Sequence, residues 1–238
     1  MNVNDELEKI WSQDYINEMS LFVKERGYVF SINDKQRDIL ITGINPSFRD
    51  GEKTISFGFD FQKTLQKTEW DNYWGSLKKM VYEPSRFDLR ERTAYLDIFY
   101  FRERNQKILK DDILKRKSGI LFIIDQLLVT QKTIEEIIKP KVIIVKNKES
   151  AAYWGKFAGN GIIWMGYQLE KIELFECGEL YKINGFIDSP ERINKELSET
   201  NLKNSLILFS HHINQYTKKE KRPTATFINS LLESYYHK

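Results

Sequence analysis

Cysteine is nearly absent from this chain of 238 residues, and Cys177 is its single thiol. One cysteine excludes a disulfide framework, a zinc site built from four thiolates and an iron–sulfur cluster held by cysteines within one chain. A lone thiol is typical of proteins from a reducing compartment, and we therefore expect a cytoplasmic protein.

Long apolar runs and common cofactor motifs are missing as well. The most apolar stretch, GILFIIDQLLV, is short and is interrupted by Asp125, so it is not expected to cross a membrane. The N-terminal sequence MNVNDELEKIW is acidic and lacks the apolar segment of a secretory signal. The chain contains neither a Gly-x-Gly-x-x-Gly turn nor a Gly-x-x-x-x-Gly-Lys loop, which argues against dinucleotide or nucleoside-triphosphate chemistry.

The charge of the chain is nearly balanced, with 37 Lys and Arg residues against 34 Asp and Glu residues and a net charge of +3. This net charge is too small to indicate nucleic-acid binding by itself, so any basic surface must be local. Hydrophobic residues make up 41% and charged residues 30%, as in a folded globular protein. We expect one domain over residues 1–238.

Apolar runs alternate with helical patterns along the chain, which predicts an α/β fold. Four runs are apolar throughout and predict buried parallel strands with helices on both faces of the sheet: 38–44, 93–99, 140–146 and 205–210. Apolar residues at helical spacing over 5–27 predict an amphipathic helix that ends near Gly27, within an N-terminal helical extension over 1–37. Residues 171–185 alternate around a glycine turn and predict a hairpin or an irregular insertion.

Polar residues follow two of these strands directly. The first strand runs into ITGINPSF and the fourth into LFSHHINQY. Because ligands of open α/β sheets bind beyond the carboxyl ends of the strands, Asn45 and the pair His211 and His212 are expected to face one cleft. Taken alone, Asn-Pro is a common turn former and adjacent histidines are often surface residues. Their position at matching strand ends favours a functional site.

These motifs resemble those of the uracil-DNA glycosylase superfamily, closest to its mismatch-specific uracil/thymine and single-strand-selective branches. GINPS is similar to the first family motif, DNYW (71–74) to the family's Asn-x-Phe-Trp helix start, and IIKPKVIIVKNKESAAYW to its third-strand segment. The resemblance covers about residues 38 to 236 and implies a three-layer α/β/α fold with a four-stranded parallel sheet. The implied spatial order of the strands is second, first, third, fourth.

The resemblance also implies roles for individual residues. Asn45 would position the hydrolytic water, and His211 or His212 would stabilise the departing base, with His211 preferred because it directly follows the strand. The base would stack on Phe57, with Phe59 as the alternative. The implied base-binding set is Gly43, Pro46, Phe57, Phe59 and Asp97. Such a reaction needs no metal and no redox cofactor, so we expect neither.

Three positions depart from the family pattern. The second motif reads His211-His212-Ile213-Asn214 in place of a His-Pro-Ser or Asn-Pro-Ser turn, and Ser47 replaces a glycine in the first motif. Asp97 stands where the family commonly has an asparagine. An ionised carboxylate only accepts hydrogen bonds, so Asp97 would suit an exocyclic amino group better than uracil O4, unless burial protonates it. A structural carboxylate is the alternative reading of Asp97.

A basic stretch, HHINQYTKKEKRP, follows the histidines. We expect it to contact phosphates of DNA, with Ser47, Arg49 and Lys53 extending the same track. The alternative is a solvated loop before the last helix. The basic residues of this stretch are Lys218, Lys219, Lys221 and Arg222.

The sequence therefore predicts a DNA glycosylase-like hydrolase, expected to be monomeric, that cleaves the N-glycosidic bond of uracil or a related damaged base in single- or double-stranded DNA. Two alternatives remain open. One is a catalytically silent protein of the same fold that binds nucleic acid or a partner. The other is an α/β enzyme that acts on a small nucleoside.

Overall fold

A six-stranded mixed sheet forms the centre of the protein in the computed structural model, which describes residues 1–48, 51, 55–69, 71 and 73–236. The strands are β1 (Val29–Ser31), β2 (Ile39–Gly43), β3 (Phe57–Phe59), β4 (Tyr82–Glu83), β5 (Phe87–Asp88), β6 (Thr93–Asp97), β7 (Val142–Val145), β8 (Tyr167–Phe175), β9 (Gly178–Phe186) and β10 (Leu206–Ser210). The helices are α1 (Val3–Trp11), α2 (Leu21–Arg26), α3 (Phe61–Gln66), α4 (Trp74–Val81), α5 (Gln106–Asp111), α6 (Lys117–Lys132), α7 (Ala151–Trp154) and α8 (Ala225–Tyr236). The last turns of α6 continue into a π-helix over Thr133–Ile138.

The strand order of the central sheet is β6-β2-β7-β10-β9-β8. The four predicted strands are present as β2, β6, β7 and β10, they are mutually parallel, and they lie in the predicted order. The sheet has six strands rather than four, because the segment with the glycine turn folds as the hairpin β8–β9 and pairs antiparallel with β10.

Each parallel strand is buried along its whole length or nearly so, because both faces of the sheet are covered. Side chains alternate between the two faces along a strand. In β2, Leu40 packs in the cluster that contains residues of α1 and α6, whereas Ile39 and Ile41 pack in the cluster that contains residues of α3, α4 and α8. This arrangement accounts for the continuous apolar runs of the sequence.

The N-terminal segment differs from the single helix that its periodicity predicts. It folds as α1, a 3₁₀-helix over Asp14–Glu18, and α2. The Ser12 hydroxyl donates to the Lys9 carbonyl at 2.8 Å, and serine side chains that bond to nearby backbone favour helix ends over helix interiors. The expected helical extension over 1–37 also contains a strand, since β1 pairs in parallel with β3. Within the described residues, no helix combines the length and the apolarity needed to cross a membrane.

Candidate functional site

Four strand ends place a row of residues on one face at the carboxyl edge of the sheet. Gly43 is opposite Asp97 in the β2–β6 register, and Lys146 and Ser210 directly follow the paired residues Val145 and Phe209. Leu96, Val145 and Phe209 pack on the α1–α6 face, and Thr42 shares that face with Leu40 by strand alternation. The residues that follow them, Asp97, Lys146, Ser210 and Gly43, are therefore directed to the face of α3, α4 and α8. Strand order therefore gives the row Asp97, Gly43, Lys146, Ser210.

Gly43 makes room for the Asp97 carboxylate in this row. A Cβ atom on residue 43 would lie 1.9 Å from Asp97 Oδ1 and 3.0 Å from the Tyr95 hydroxyl. Real Cβ atoms do not approach oxygen this closely, so any larger residue would displace the carboxylate. The glycine is required by close packing here, because its side-chain position is occupied by Asp97.

A chain of hydrogen bonds connects Lys146 to Asp97. Lys146 Nζ donates to the Tyr73 hydroxyl, the Tyr73 and Tyr95 hydroxyls bond to each other, and the Tyr95 hydroxyl donates to Asp97 Oδ1 at 2.8 Å. An ammonium group only donates and each hydroxyl carries one hydrogen. If Tyr95 gives its hydrogen to Asp97, Tyr73 must be the donor between the two tyrosines. The chain therefore runs in one direction, from cation to carboxylate.

Burial shifts the pKa values of all four groups in this chain. Burial lowers the pKa of Lys146 to about 8, an effect that the negative charge of Asp97 partly opposes. Burial raises the pKa of Asp97, and this rise is reduced by the Lys146 charge and by the Tyr95 hydrogen bond. Burial and the nearby Asp97 charge raise the pKa values of Tyr73 and Tyr95 well above their ordinary range. Lys146 and Asp97 thus form a buried pair of opposite charges joined by two hydroxyl groups.

A cavity of about 430 Å³ opens beside this chain, at the carboxyl edge of the sheet. Its aromatic wall consists of Phe57, Phe59, Tyr73, Trp74 and Tyr95. The polar residues of its lining include Ser47, Lys67, Asp71, Asp97 and Arg102. A largely aromatic cavity with a few polar groups is the usual form of a binding site for a planar ligand.

Local structure explains the position of the aromatic wall. The Asp71 carboxylate accepts hydrogen bonds from the backbone N–H groups of Tyr73 and Trp74, both at 2.8 Å, and so fixes the start of α4. The Trp74 ring then packs edge-on against Tyr95, with ring centres 5.2 Å apart, and lies 5.5 Å from the Phe59 ring. Trp74 and Phe59 are thereby held on the same wall.

Phe57 and Arg102 both line the cavity, and Arg102 is buried. The Arg102 guanidinium lies 5.1 Å from the centre of the Phe57 ring and 4.8 Å from that of Phe48, within the range of cation–π attraction. Its Nη1 also donates to the Ile55 carbonyl at 3.1 Å. Phe57 is 37% exposed, so a large aromatic face is presented where the cavity meets solvent.

Asn45 lies next to the cavity lining, but its side-chain amide makes its hydrogen bonds outside the cavity. Its Nδ2 donates to the carbonyl oxygens of Glu103 at 2.5 Å and of Pro46 at 3.0 Å, and its Oδ1 accepts from Gln106 Nε2 at 2.9 Å. The described lining includes Pro46 and Ser47 but not Asn45. In this structure the Asn45 amide therefore joins the loop after β2 to residues 103–106.

The histidine pair follows β10 at the same edge of the sheet, on the far side of β7 from Asp97. Neither His211 nor His212 belongs to the described lining of the cavity. His212 is nevertheless close enough to Lys146 for the two charges to interact, since partial burial and the Lys146 cation both lower the pKa of His212. His212 thus lies on the surface side of the hydrogen-bond chain that joins Lys146 to Asp97.

Of the predicted DNA-binding residues, Ser47 lines the cavity, whereas the basic residues of the stretch after β10 do not belong to its described lining. Lys218, Lys219 and Lys221 are exposed around a 3₁₀-helix over Lys219–Lys221, and Arg222 is partly buried. Lys219 and Arg222 contribute to a groove lined by Phe175 and Phe227, away from the lining of the 430 Å³ cavity. Arg49 and Lys53 lie outside the described residues.

The structure therefore brings together Pro46, Ser47, Phe57, Phe59 and Asp97 around one cavity, with Gly43 beneath Asp97. Sequence reasoning missed the polar chain behind them. Lys146 directly follows the apolar run of β7, and Tyr95 lies two residues before Asp97 on the same strand face. Strand alternation alone could have grouped Tyr95, Asp97 and Lys146. Tyr73 is positioned by α4 rather than by a strand, so no pattern in the sequence groups it with these three residues.

Among residues 1–48, 51, 55–69, 71 and 73–236, no group of three or more His, Cys, Asp or Glu side chains is arranged to hold a metal ion. Comparison of the chain with protein-family models, with curated proteins and with solved structures gave no match.

Proposed function

We propose that this protein is a uracil-DNA-glycosylase-like hydrolase that takes a nucleobase into the aromatic cavity and cleaves its N-glycosidic bond. The observation that carries the proposal is the cavity itself. It lies at the carboxyl ends of the parallel strands, has aromatic walls and has two carboxylates in its lining, those of Asp71 and Asp97. The parallel strand order and the GINPS turn support the same proposal.

A planar base matches the shape and the polarity of this cavity. Phe59 and Trp74 offer rings for stacking, and the partly exposed Phe57 ring is held against the buried Arg102. Asp97 supplies a polar group that can read the edge of a base by hydrogen bonds. A base inside a duplex cannot reach such a cavity, so the substrate must be single-stranded or must present an extruded base.

Cleavage of an N-glycosidic bond requires that the negative charge developing on the departing base be offset by a nearby cation or neutralised by a proton that this cation supplies. The buried Lys146 cation lies behind Tyr73 on the cavity wall and is held there by a hydrogen bond. Its charge acts in a poorly solvated environment, where electrostatic stabilisation is stronger than in water. Lys146 is therefore the cation best placed to favour departure of a base, with His212 on its surface side.

The contacts of Asn45 favour one competing function, a catalytically silent protein of the same fold that binds a base. All three polar contacts of the Asn45 amide are made within the protein. In the proposed enzyme, the second lone pair of Asn45 Oδ1 would accept a hydrogen bond from the attacking water. In the silent protein, Asn45 stays a structural link between two loops.

The proposal is tested by a glycosylase screen on single- and double-stranded oligonucleotides that carry uracil, hypoxanthine, xanthine, mismatched thymine or cytosine. Strand cleavage after alkaline treatment reports base release. Base release that is lost in Asp97→Ala and retained in the matched exposed variant Asp188→Ala would support the proposed site. Saturable oligonucleotide binding without base release would support the silent protein, and release from free nucleosides alone would support a small-nucleoside enzyme.

We further propose that DNA is the partner and that Lys218, Lys219, Lys221 and Arg222 contact its phosphates beyond the cavity. The loop follows β10 at the carboxyl edge of the sheet, and its three lysines are exposed. Phosphate contacts of this kind orient a strand without reading its sequence.

A further inference from the structure

We propose that Lys146, Tyr73, Tyr95 and Asp97 form a proton relay that delivers a proton to the base held in the cavity, and that the preferred base carries an amino group next to an unprotonated ring nitrogen, as cytosine and adenine do. The inference rests on the proposed function. It assigns Asp97 as a catalytic acid, and it assigns the two tyrosines and Lys146 as the residues that supply Asp97.

The hydrogen-bond chain provides a continuous path for the proton. Each donor is followed by an acceptor without a gap: Lys146 to Tyr73, Tyr73 to Tyr95, and Tyr95 to Asp97. Lys146 and Tyr95 are 5% and 1% exposed, so the first donor and the second hydroxyl of the path are shielded from bulk water, whereas Tyr73 is partly buried and lines the cavity. A base in the cavity would lie between Asp97 and solvent, which leaves the tyrosine side as the direct route for a proton.

The proton count closes over one reaction cycle. Lys146 gives a proton to the Tyr73 oxygen, Tyr73 passes its own proton to Tyr95, and Tyr95 passes its own to Asp97. The protonated carboxyl gives that proton to the ring nitrogen of the base. The C–N bond then breaks, and its electron pair leaves with a base that is neutral. Water adds its oxygen to the sugar carbon, and its released proton restores Lys146, so that the net reaction consumes one water.

The same chemistry selects the substrate class. A protonated carboxyl offers one donor and one acceptor side by side. This pair matches a ring nitrogen next to an amino group, whose acceptor and donor have the complementary order. Uracil and thymine could also pair with a protonated carboxyl through their ring N–H and carbonyl oxygen. Their ring N3 already carries a hydrogen, however, so it cannot accept the proton that the relay delivers, and only the less basic carbonyl oxygens remain.

The charged and titratable groups around the hydrogen-bond chain are consistent with Asp97 as the acid and Lys146 as the source of the proton. Tyr73 and Asp71 face it from the start of α4, Tyr95 and Asp97 from β6, and His212 from the segment after β10. Burial raises the pKa of Asp97 and so favours its holding a proton, whereas burial lowers the pKa of Lys146 and so favours its giving one up.

The first test measures the single-turnover rate of base release against pH for the full-length protein. The oligonucleotide carries cytosine or adenine as the target base. The wild-type rate should fall as pH rises through about 8, where Lys146 loses its proton. Tyr73→Phe should lower the rate by about 10²- to 10⁴-fold, the usual contribution of general acid catalysis, and should remove this alkaline fall.

Tyr153→Phe is the matched control, because Tyr153 is a buried tyrosine of the α1–α6 face. It should keep both the rate and the pH profile of the wild type. Tyr95→Phe provides a second interruption of the path should Tyr73→Phe fail to fold. Wild-type rate and an unchanged alkaline fall in either folded variant would overturn the relay.

A second test needs no activity and so separates the relay from the proposed function. The ¹³C shift of the Asp97 carboxyl carbon is followed by NMR against pH in the unliganded protein. The relay predicts a step near pH 8 that disappears in Lys146→Met and is strongly reduced in Tyr73→Phe. A step that persists in Tyr73→Phe would indicate a through-space charge effect and would overturn the relay, as would the absence of a step in the wild type. Failure of the glycosylase screen with this step present would overturn the proposed function alone.

Discussion

Replacement of Lys146 by methionine should change how the stability of the protein depends on pH. Lys146 is 5% exposed, and burial lowers its pKa from the ordinary value of 10.5 to about 8. Methionine has a similar length and no charge, so it removes this titration while it retains most of the packing. The variant therefore isolates the cost of burying one ammonium group.

The sign and the size of the effect follow from proton linkage. Between pH 8 and pH 10.5, Lys146 is protonated in the unfolded chain and neutral in the folded protein, so the unfolded state binds more protons and stability rises with pH. The slope is at most about 1.4 kcal/mol per pH unit, which amounts to about 3 kcal/mol over this window. Lys146→Met should lack this rise.

The assay is urea denaturation followed by circular dichroism at pH 7, 8, 9 and 10. The quantity of interest is the difference in unfolding free energy between wild type and Lys146→Met, because titrating groups that do not interact with Lys146 cancel in that difference. It should shift in favour of the wild type by about 2 kcal/mol between pH 8 and pH 10. The exposed Lys148→Met is the control and should show no such shift. A difference that stays constant within about 0.5 kcal/mol would refute the burial argument, since surface substitutions vary by that much.

Three further predictions concern the surroundings of the cavity. Gly43→Ala should destabilise the protein by about 1–3 kcal/mol, because the added methyl group overpacks against Asp97, and it should also weaken base binding. A thermal melt and a binding titration that both equal those of the wild type would contradict this prediction. Asn45→Ala should lower the unfolding free energy by about 1–3 kcal/mol because two contacts to residues 103 and 106 and one contact within its own loop are lost. A large loss of turnover with unchanged stability would instead favour the water-positioning role. The double variant with Lys218→Ala and Lys219→Ala should bind every oligonucleotide sequence more weakly to the same degree, and its binding should depend less on salt. Fluorescence anisotropy at several salt concentrations measures both effects. Binding equal to that of the wild type would show that this loop is not part of the interface.

The sheet could be predicted because its signal is local. Four continuous apolar runs predict four buried strands, and all four are observed. Their order is not a local signal; it was implied by the family resemblance and is also observed. The hairpin β8–β9 was detected as an alternating segment, but its attachment to β10 depends on which sheet edge is open, and that information is not local. The N-terminal helix was predicted too long because apolar spacing continues through residues 12–20, whereas the backbone breaks there.

The candidate site was predicted only in part for a similar reason. Pro46, Phe57, Phe59 and Asp97 could be identified from their positions after strands and from the motifs around them. The contacts of Asn45 could not, because its partners Glu103 and Gln106 lie about sixty residues away in the chain. Pairing between a strand end and a remote loop leaves no periodic pattern in the sequence.

The small parallel pair β1–β3 has a consequence for how the protein can be handled. Phe57 and Phe59 belong to β3, whose register partners Val29 and Ser31 belong to the N-terminal segment, and Val29 itself lines the cavity. The segment before β2 is thus a wall of the binding site rather than an appendage. Shortened versions of the chain that begin after residue 31 would lose the backing of both phenylalanines, so the ability of such versions to take up a base measures how much of the pocket the first thirty residues build.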